Sequence, residues 1–282
     1  MKLYCAGRLI HPISEPFILR SKVNRLWSYY DLQDKDDEAF DLDRENGTAF
    51  LDSGAFSALT RDRSISLERY IEYLHAVDPV VGYAAALDVI GDFDATQRNY
   101  ERMTREDFRF PIYSTIHFPA TREQVCRALD ALKWPYLAIG GLVPIAGRGN
   151  TLRDFLDHVW RLIRERKENL HVHCFGITKV QILERYPFYS ADSTVTLLSA
   201  SKFGTLTQYH RGKKVACYAG RFQQRGRDAA DESKRRPFSE IMGMDTGEPM
   251  YPYRVIANIR EHQRYQWYLT ELWRRRGVEW DT

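Results

Sequence analysis

The sequence predicts an α/β protein folded as a (β/α)8 TIM barrel with irregular insertions. One observation is that short apolar runs alternate with amphipathic segments through most of the 282 residues, the pattern of βα units. A second is that eight of the runs are strand-like and most are continuously apolar, as strands buried on both faces are. A third is that the segments between them carry helix signals, and eight strands with interleaved helices in under 300 residues suit a closed barrel. The competing topology is an open doubly wound sheet. No G-x-G-x-x-G opens any helix, so a dinucleotide site has no support.

In chain order the predicted strands are Lys2–Cys5, Ala49–Asp52, Val81–Asp88, Ile112–His117, Tyr136–Gly140, His171–Gly176, Phe188–Asp192 and Val215–Ala219. Ser66 is a predicted N-cap ahead of the stripe Leu67, Ile71 and Leu74. Thr121 and Gln124 form a predicted capping box before Val125, Leu129 and Leu132. Thr151 opens the next helix, with Leu152, Phe155, Leu156, Val159 and Ile163 inward. A last helix is predicted over about 255–276, with arginines on one side and Trp/Tyr on the other. Two stretches break the rhythm: Ile10–Asn46, too long for one connection, and the polar, basic insertion at about 221–253. The whole of 1–282 is read as one barrel domain.

Composition narrows the class. Hydrophobic residues are 44% and charged residues 28%, which suits a soluble protein with a sizeable core. No apolar run approaches the roughly 18 residues of a membrane span, and no secretory leader is evident. The expectation is a cytoplasmic protein (host cytoplasm if phage-encoded) with no membrane partner. Cys5, Cys126, Cys174 and Cys217 stand far apart, so a disulfide framework or cysteine zinc site is not expected. Net charge is only +3 but uneven. Residues 31–45 carry eight acids against Lys35 and Arg44, and residues 210–236 carry nine Lys/Arg against Asp228, Asp231 and Glu232. Such asymmetry suggests an anionic partner, and a solvated loop explains it equally well.

Barrel enzymes collect their chemistry at the C-terminal strand ends. There the sequence offers Asp52-Ser53-Gly54-Ala55-Phe56, then Asp88, His117, Gly140-Gly141-Leu142, Gly176, and Ser190-Ala191-Asp192. A lone strand-end aspartate is usually a cap or turn residue. Three at three ends suit paired carboxylates at a glycosidic carbon, one attacking and one moving protons. A third carboxylate can accept from N1–H and the exocyclic amine of guanine, a pattern adenine lacks. Gly140 and Gly141 permit close backbone approach to a ligand, or serve only a tight strand exit.

At these residues the chain resembles the tRNA-guanine transglycosylase family and its phage and bacterial DNA-modifying relatives. Asp52-Ser53-Gly54-Ala55-Phe56 resembles that family's D-S-G-G-[FY] segment, and Tyr136 to Leu142 its Y-x-x-G-G-L segment with one extra residue. His173 to Ile177 is similar to its L-x-G-[VI] strand. Tyr189 to Ser193 falls where the nucleophilic aspartate lies, and Asn258 with Tyr265 resembles the terminal helix. The resemblance covers residues 48–270 in order. It implies Asp192 as nucleophile, Asp52 as general acid/base, Asp88 as reader of guanine and Phe56 as a stacking ring. It also implies base contacts from Ser53, Gly54, Gly140, Gly141 and Leu142. His117 stands where the family has a glutamine, and base contact, proton relay and simple packing are its possible roles in that order.

The family's zinc module, a C-x-C-x-x-C cluster with a histidine, has no counterpart, and Ala55 replaces a glycine. No metal or other cofactor is expected. The implied activity is that of a pentosyltransferase. It exchanges guanine in DNA for a free 7-deazaguanine base (such as preQ0 or preQ1) through a glycosyl-aspartate. Arg221, Arg225, Arg227, Lys213 and Lys214 are the candidate nucleic-acid contacts. A base in duplex DNA must be flipped to react, at roughly a few kcal/mol. Alternatives are a tRNA substrate, a non-catalytic nucleic-acid-binding homologue, a homodimer or partner-dependent assembly, a glycoside hydrolase, and a metal hydrolase using Asp52, Asp88, His117 and Asp192. For the glycoside hydrolase, no Trp adjoins a predicted strand end bearing an aspartate. His171 and His173 are placed at the start of their strand, away from the catalytic face.

Overall fold

Each barrel strand divides its side chains between two surroundings. On Ala49–Asp52, Phe50 joins an interior cluster with Tyr4, Ala6, Leu26, Ala85, Tyr113 and Ala138. Its neighbours Ala49 and Leu51 pack outward with Tyr70, Leu74 and Val77. On Tyr136–Gly140, Ala138 faces in while Leu137 and Ile139 meet Val125 and Leu129. This period of two, with both faces covered, makes the strands read as nearly continuous apolar runs.

In the computed structural model, residues 1–7, 13–46, 49–61, 64–77, 81–166, 169–194, 205–210, 213–218 and 251–280 are described; for 205–210, 213–218 and Tyr251 this means the backbone alone. The strands β1 (Lys2–Ala6), β2 (Arg25–Ser28), β3 (Ala49–Asp52), β4 (Tyr83–Ala85), β5 (Ile112–His117), β6 (Tyr136–Gly140), β7 (His171–Cys174) and β8 (Ser190–Ser193) pair in parallel and close into a barrel. Closure joins β1 to β8, with Tyr4 opposite Asp192. The predicted (β/α)8 barrel is therefore the fold.

Its membership differs from the prediction at one strand. Val215–Ala219 falls largely on β10 (Lys213–Tyr218), which pairs antiparallel with β9 (Thr205–His210) outside the barrel. The missing barrel strand is β2, inside the stretch taken for an insertion. Its sequence does not announce a strand because it begins with Arg25 and leaves only Leu26 and Trp27 as an apolar run. That guanidinium is fully buried, donates to Gly7 O at 3.1 Å, and lies 3.6 Å from Glu15 and 3.9 Å from Asp43. Other strands are shorter than predicted or displaced: Val81–Asp88 contracts to β4, and the strand expected at Phe188 starts at Ser190.

Helices α1 (Glu15–Arg20), α2 (Tyr29–Leu32) and α3 (Glu38–Glu45) occupy the stretch around β2. Then follow α4 (Ala55–Thr60), α5 (Leu67–Val77), α6 (Phe93–Met103), α7 (Arg122–Asp130), α8 (Gly149–Arg166) and α9 (Val180–Leu183). The capping box forms as predicted: Thr121 accepts from Gln124 N–H while the Gln124 side chain accepts from Thr121 N–H, a device worth about 1 kcal/mol. Ser66 accepts from Arg69 N–H at 3.4 Å. Helix α10 (Tyr251–Arg275) begins earlier than predicted, with Pro252 in the tolerant first turn. It docks beside β1, where Gln266 accepts from Leu3 N–H at 2.8 Å and Thr270 bonds Met1. Tyr265 and Asn258 are buried there. Residues 219–250, which hold most of the basic insertion, lie outside the described residues. Cys5, Cys126 and Cys174 are buried. Among the described residues no helix is long and apolar enough to cross a membrane.

The two poles of the barrel interior are built differently. At the N-terminal pole, Lys2 Nζ donates to Tyr83 Oη at 2.9 Å, and Tyr83 and Tyr189 hydroxyls meet at 2.6 Å. The Tyr136 and His171 rings close in beside them, with centroids 4.7 Å apart. Toward the other pole, beyond the ring layer of Tyr4, Phe50 and Tyr113, Ala6 and Leu26 border an open space.

Candidate active site

That space is a cavity of about 590 Å³ at the C-terminal pole, within the usual range for small-molecule sites. Asp52, Gly54, Phe56, Asp88, His117, Gly140, Gly141, Leu142 and Asp192 all line it. Ser53 lies just behind the wall, fully buried. The predicted residues from β3, β4, β5, β6 and β8 thus converge on one place. Arg221, Arg225 and Arg227 lie outside the described residues, and Lys213 and Lys214 sit on β10, where only the backbone is described.

Asp52 ends β3 beside Ser28 of β2. The chain turns there through Gly54, whose N–H donates to Asp52 Oδ2 at 3.1 Å. Gly54 sits at φ +81°, and a Cβ on it would meet Ser28 Oγ at 2.3 Å and Tyr30 Cβ at 2.5 Å. Only glycine fits such a left-handed corner against a neighbouring strand. Burial and, after it, the carboxylates of Asp88 and Asp192 push Asp52 up to about 8; the Gly54 and Ser53 N–H groups oppose this. Asp52 therefore carries a proton at neutral pH.

Asp88 follows β4 and is tied on both oxygens. Ser53 Oγ donates to Oδ1 at 2.7 Å, and His117 Nε2 lies 2.7 Å from Oδ2. Each carboxylate oxygen has two lone pairs, so Asp88 keeps acceptor capacity toward the cavity. His117 is thereby a partner of Asp88 as well as part of the wall. Gly140 lies against the His117 ring and Gly141 against the Phe118 backbone, so the tight strand exit accounts for both glycines. Phe56, 58% exposed, stands at the mouth, with Val143 also exposed on the rim.

Asp192 on β8 is nearly buried, and its partners are neutral donors. Gly176 N–H donates to Oδ1 at 2.8 Å, and His173 Nε2 lies 3.3 Å from the same oxygen. This overturns the placement of His173 away from the catalytic face. β7 starts at His171, so the second histidine reaches the upper half of the barrel, and His171 alone stays at the far pole. The H-x-H spacing placed both rings on one face, and only the register with Ser190 sets His173 beside Asp192.

The acidic stretch was also missed as part of the site. Asp31, Lys35 and Asp37 line the cavity beside Ala6, Leu26 and Ser28. Trp27 reaches the wall as well, contrary to the expectation that no Trp adjoins an aspartate-bearing end. It is buried edge-on to Phe40 with its N–H given to Asp43, so it offers no face to a sugar. Among the described residues no group of three or more His, Cys, Asp or Glu is arranged to hold a metal ion. Comparison with known protein families gave no match, and neither did comparison with characterised proteins.

Proposed function

We propose that the chain is a base-exchange glycosyltransferase that replaces guanine in DNA with a 7-deazaguanine through a glycosyl-aspartate intermediate. One observation carries this reading: two carboxylates in one cavity stand in opposite environments. Asp52 is held protonated by burial and by the like charges of Asp88 and Asp192, while Asp192 receives only neutral donors. Environments that split two carboxylates assign an acid and a nucleophile.

In the first half-reaction an Asp192 oxygen bonds to the sugar C1′ as the C1′–N9 bond breaks. The bonding pair goes to N9, and the Asp52 proton neutralises the departing guanine. In the second half, Asp52, now a carboxylate, takes the N9–H of the incoming base. N9 attacks C1′, and the C1′–O bond returns its pair to Asp192. No water is consumed. Asp88 would accept from the guanine N1–H and amine, positioned by Ser53 and His117, and Phe56 would stack at the mouth. DNA is preferred to tRNA because the zinc module of the tRNA enzymes has no counterpart and residues 210–236 are basic.

The test is exchange of radiolabelled guanine in DNA and in unmodified tRNA, with a 7-deazaguanine added. Release from DNA alone, abolished in Asp192→Ala and Asp52→Ala, supports the reading. Release from tRNA alone keeps the chemistry and overturns the substrate. No release from either, with nucleic-acid binding retained, leaves a binding protein instead.

A further inference from the structure

We propose that His173 is a positioning residue for Asp192: fully buried beneath it, the imidazole fixes Oδ1 and leaves Oδ2 as the oxygen presented to the cavity. The inference deepens the glycosyl-transfer reading and rests on it only for the name of the electrophile.

The geometry is a chain of three side chains. Ser190 Oγ lies 2.8 Å from His173 Nδ1, and His173 Nε2 lies 3.3 Å from Asp192 Oδ1. A carboxylate can only accept, so Nε2 carries the proton, Nδ1 is the acceptor, and the Ser190 hydroxyl donates. Ser190 and Asp192 are two residues apart on β8 and face the same side, with His173 lying opposite Ser190 across the β7–β8 register. Gly176 N–H adds its bond to Oδ1 as well. Both bonds fall on one oxygen, and among the described residues Oδ2 has none.

The ring has no freedom to turn away. His173 is packed by Phe50 at 4.7 Å and Phe175 at 4.5 Å between centroids, with Tyr4 and Tyr113 each at 6.0 Å. Burial, opposed by Asp192, holds the imidazole below its ordinary range, so it acts as a neutral donor to Asp192. The other titratable groups facing this pair are Tyr4 on β1, Tyr113 on β5 and Asp52 on β3, and Cys174, on the outer face of β7, feels the Asp192 carboxyl as well. Burial pushes the two phenols and the thiol up, so they stay neutral, and Asp52 is protonated at neutral pH. A buried carboxylate with neutral neighbours depends on its donors to remain ionised.

The experiment titrates Asp192 directly. Full-length protein labelled with 13C at the aspartate carboxyls is followed by NMR across pH, the Asp192 signal being assigned by its loss in Asp192→Asn. The variants are His173→Leu, which removes the donor, His173→Gln, which restores one, and Ser190→Ala, which keeps the ring and frees its tautomer. Expected is a rise in the Asp192 pKa of about one unit in His173→Leu, a smaller rise in Ser190→Ala, and near-native titration in His173→Gln. Where base exchange is measured, kcat should fall roughly ten- to a hundredfold in His173→Leu with KM little changed. An Asp192 titration unmoved in both His173→Leu and Ser190→Ala overturns the inference. Should His173→Leu not fold, Ser190→Ala decides alone. A shifted titration in a protein that exchanges no base supports the positioning role and sinks the glycosyl-transfer reading, so the two failures are distinguishable.

Discussion

The β3–β5 arc of the cavity and the β7–β8 arc each present an aspartate to the same space, and they treat it in opposite ways. On the first arc Asp52 shares its surroundings with a second carboxylate, Asp88, whose own oxygens are occupied by Ser53 and His117. Like charge and burial together favour a proton on Asp52. On the second arc Asp192 is alone among neutral groups and is given two N–H donors on one oxygen. The residue type is identical, and under the proposed reading the neighbours decide which would serve as acid and which as nucleophile.

The difference can be broken most directly at Asp192. Replacement by Asn should reduce base exchange by at least about ten-thousandfold and abolish any covalent adduct trapped on a denaturing gel. A surviving adduct would move the nucleophile to the other arc. Asp52→Asn should cost about a hundred- to ten-thousandfold. In the native protein, activity should fall as pH rises through about 8, where Asp52 loses its proton; an alkaline limb at the same pH in Asp52→Asn would assign the titration elsewhere.

Backbone substitutions compare the arcs more gently. Gly54→Ala must place a Cβ against Ser28 and the Tyr30 stem, while in Gly176→Ala, at φ +71°, the contact is the movable Val143 Cγ2 at 2.6 Å. Both incur the left-handed penalty of about 1–2 kcal/mol, and Gly54→Ala should be the more destabilised by about a further 1 kcal/mol in urea. The smallest effect is thermal. A raised folded-state pKa contributes stability below the ordinary carboxylate range that is lost as pH climbs through about 8. Asp52 is only half-buried, so solvent in the cavity reduces the full linkage. Asp52→Asn should melt about 2–4 °C above the native protein at pH 9, with the gain shrinking as pH falls and vanishing below the ordinary carboxylate range.

Much of this is legible in the amino-acid sequence. Strands buried on both faces announce themselves as apolar runs, and Asp52 at the end of β3 and Asp192 on β8 stand out because nothing apolar explains them. β2 did not, since a strand that begins with a buried arginine needs Glu15 and Asp43 folded around it before it reads as interior. Val215–Ala219 was counted in its place because an apolar run of that length does not say whether its partner is parallel or antiparallel. His173 was hidden for a related reason. Alternation places a side chain inside the barrel, but its height depends on where the strand starts, and a two-residue difference separates the far pole from the carboxylate. The acidic stretch became part of the cavity wall only once β2 took its place beside β3.

The cluster of Lys2, Tyr83, Tyr136, His171 and Tyr189 has a consequence for traffic. Among the described residues it fills the barrel from below, so the cavity is a cup that opens at the C-terminal pole. In a base exchange the outgoing and incoming rings must then use the same doorway, and one has to clear it before the other enters. Under the proposed exchange the order of events becomes a matter of architecture: the sugar would wait on Asp192 while one ring leaves by the doorway and the other enters.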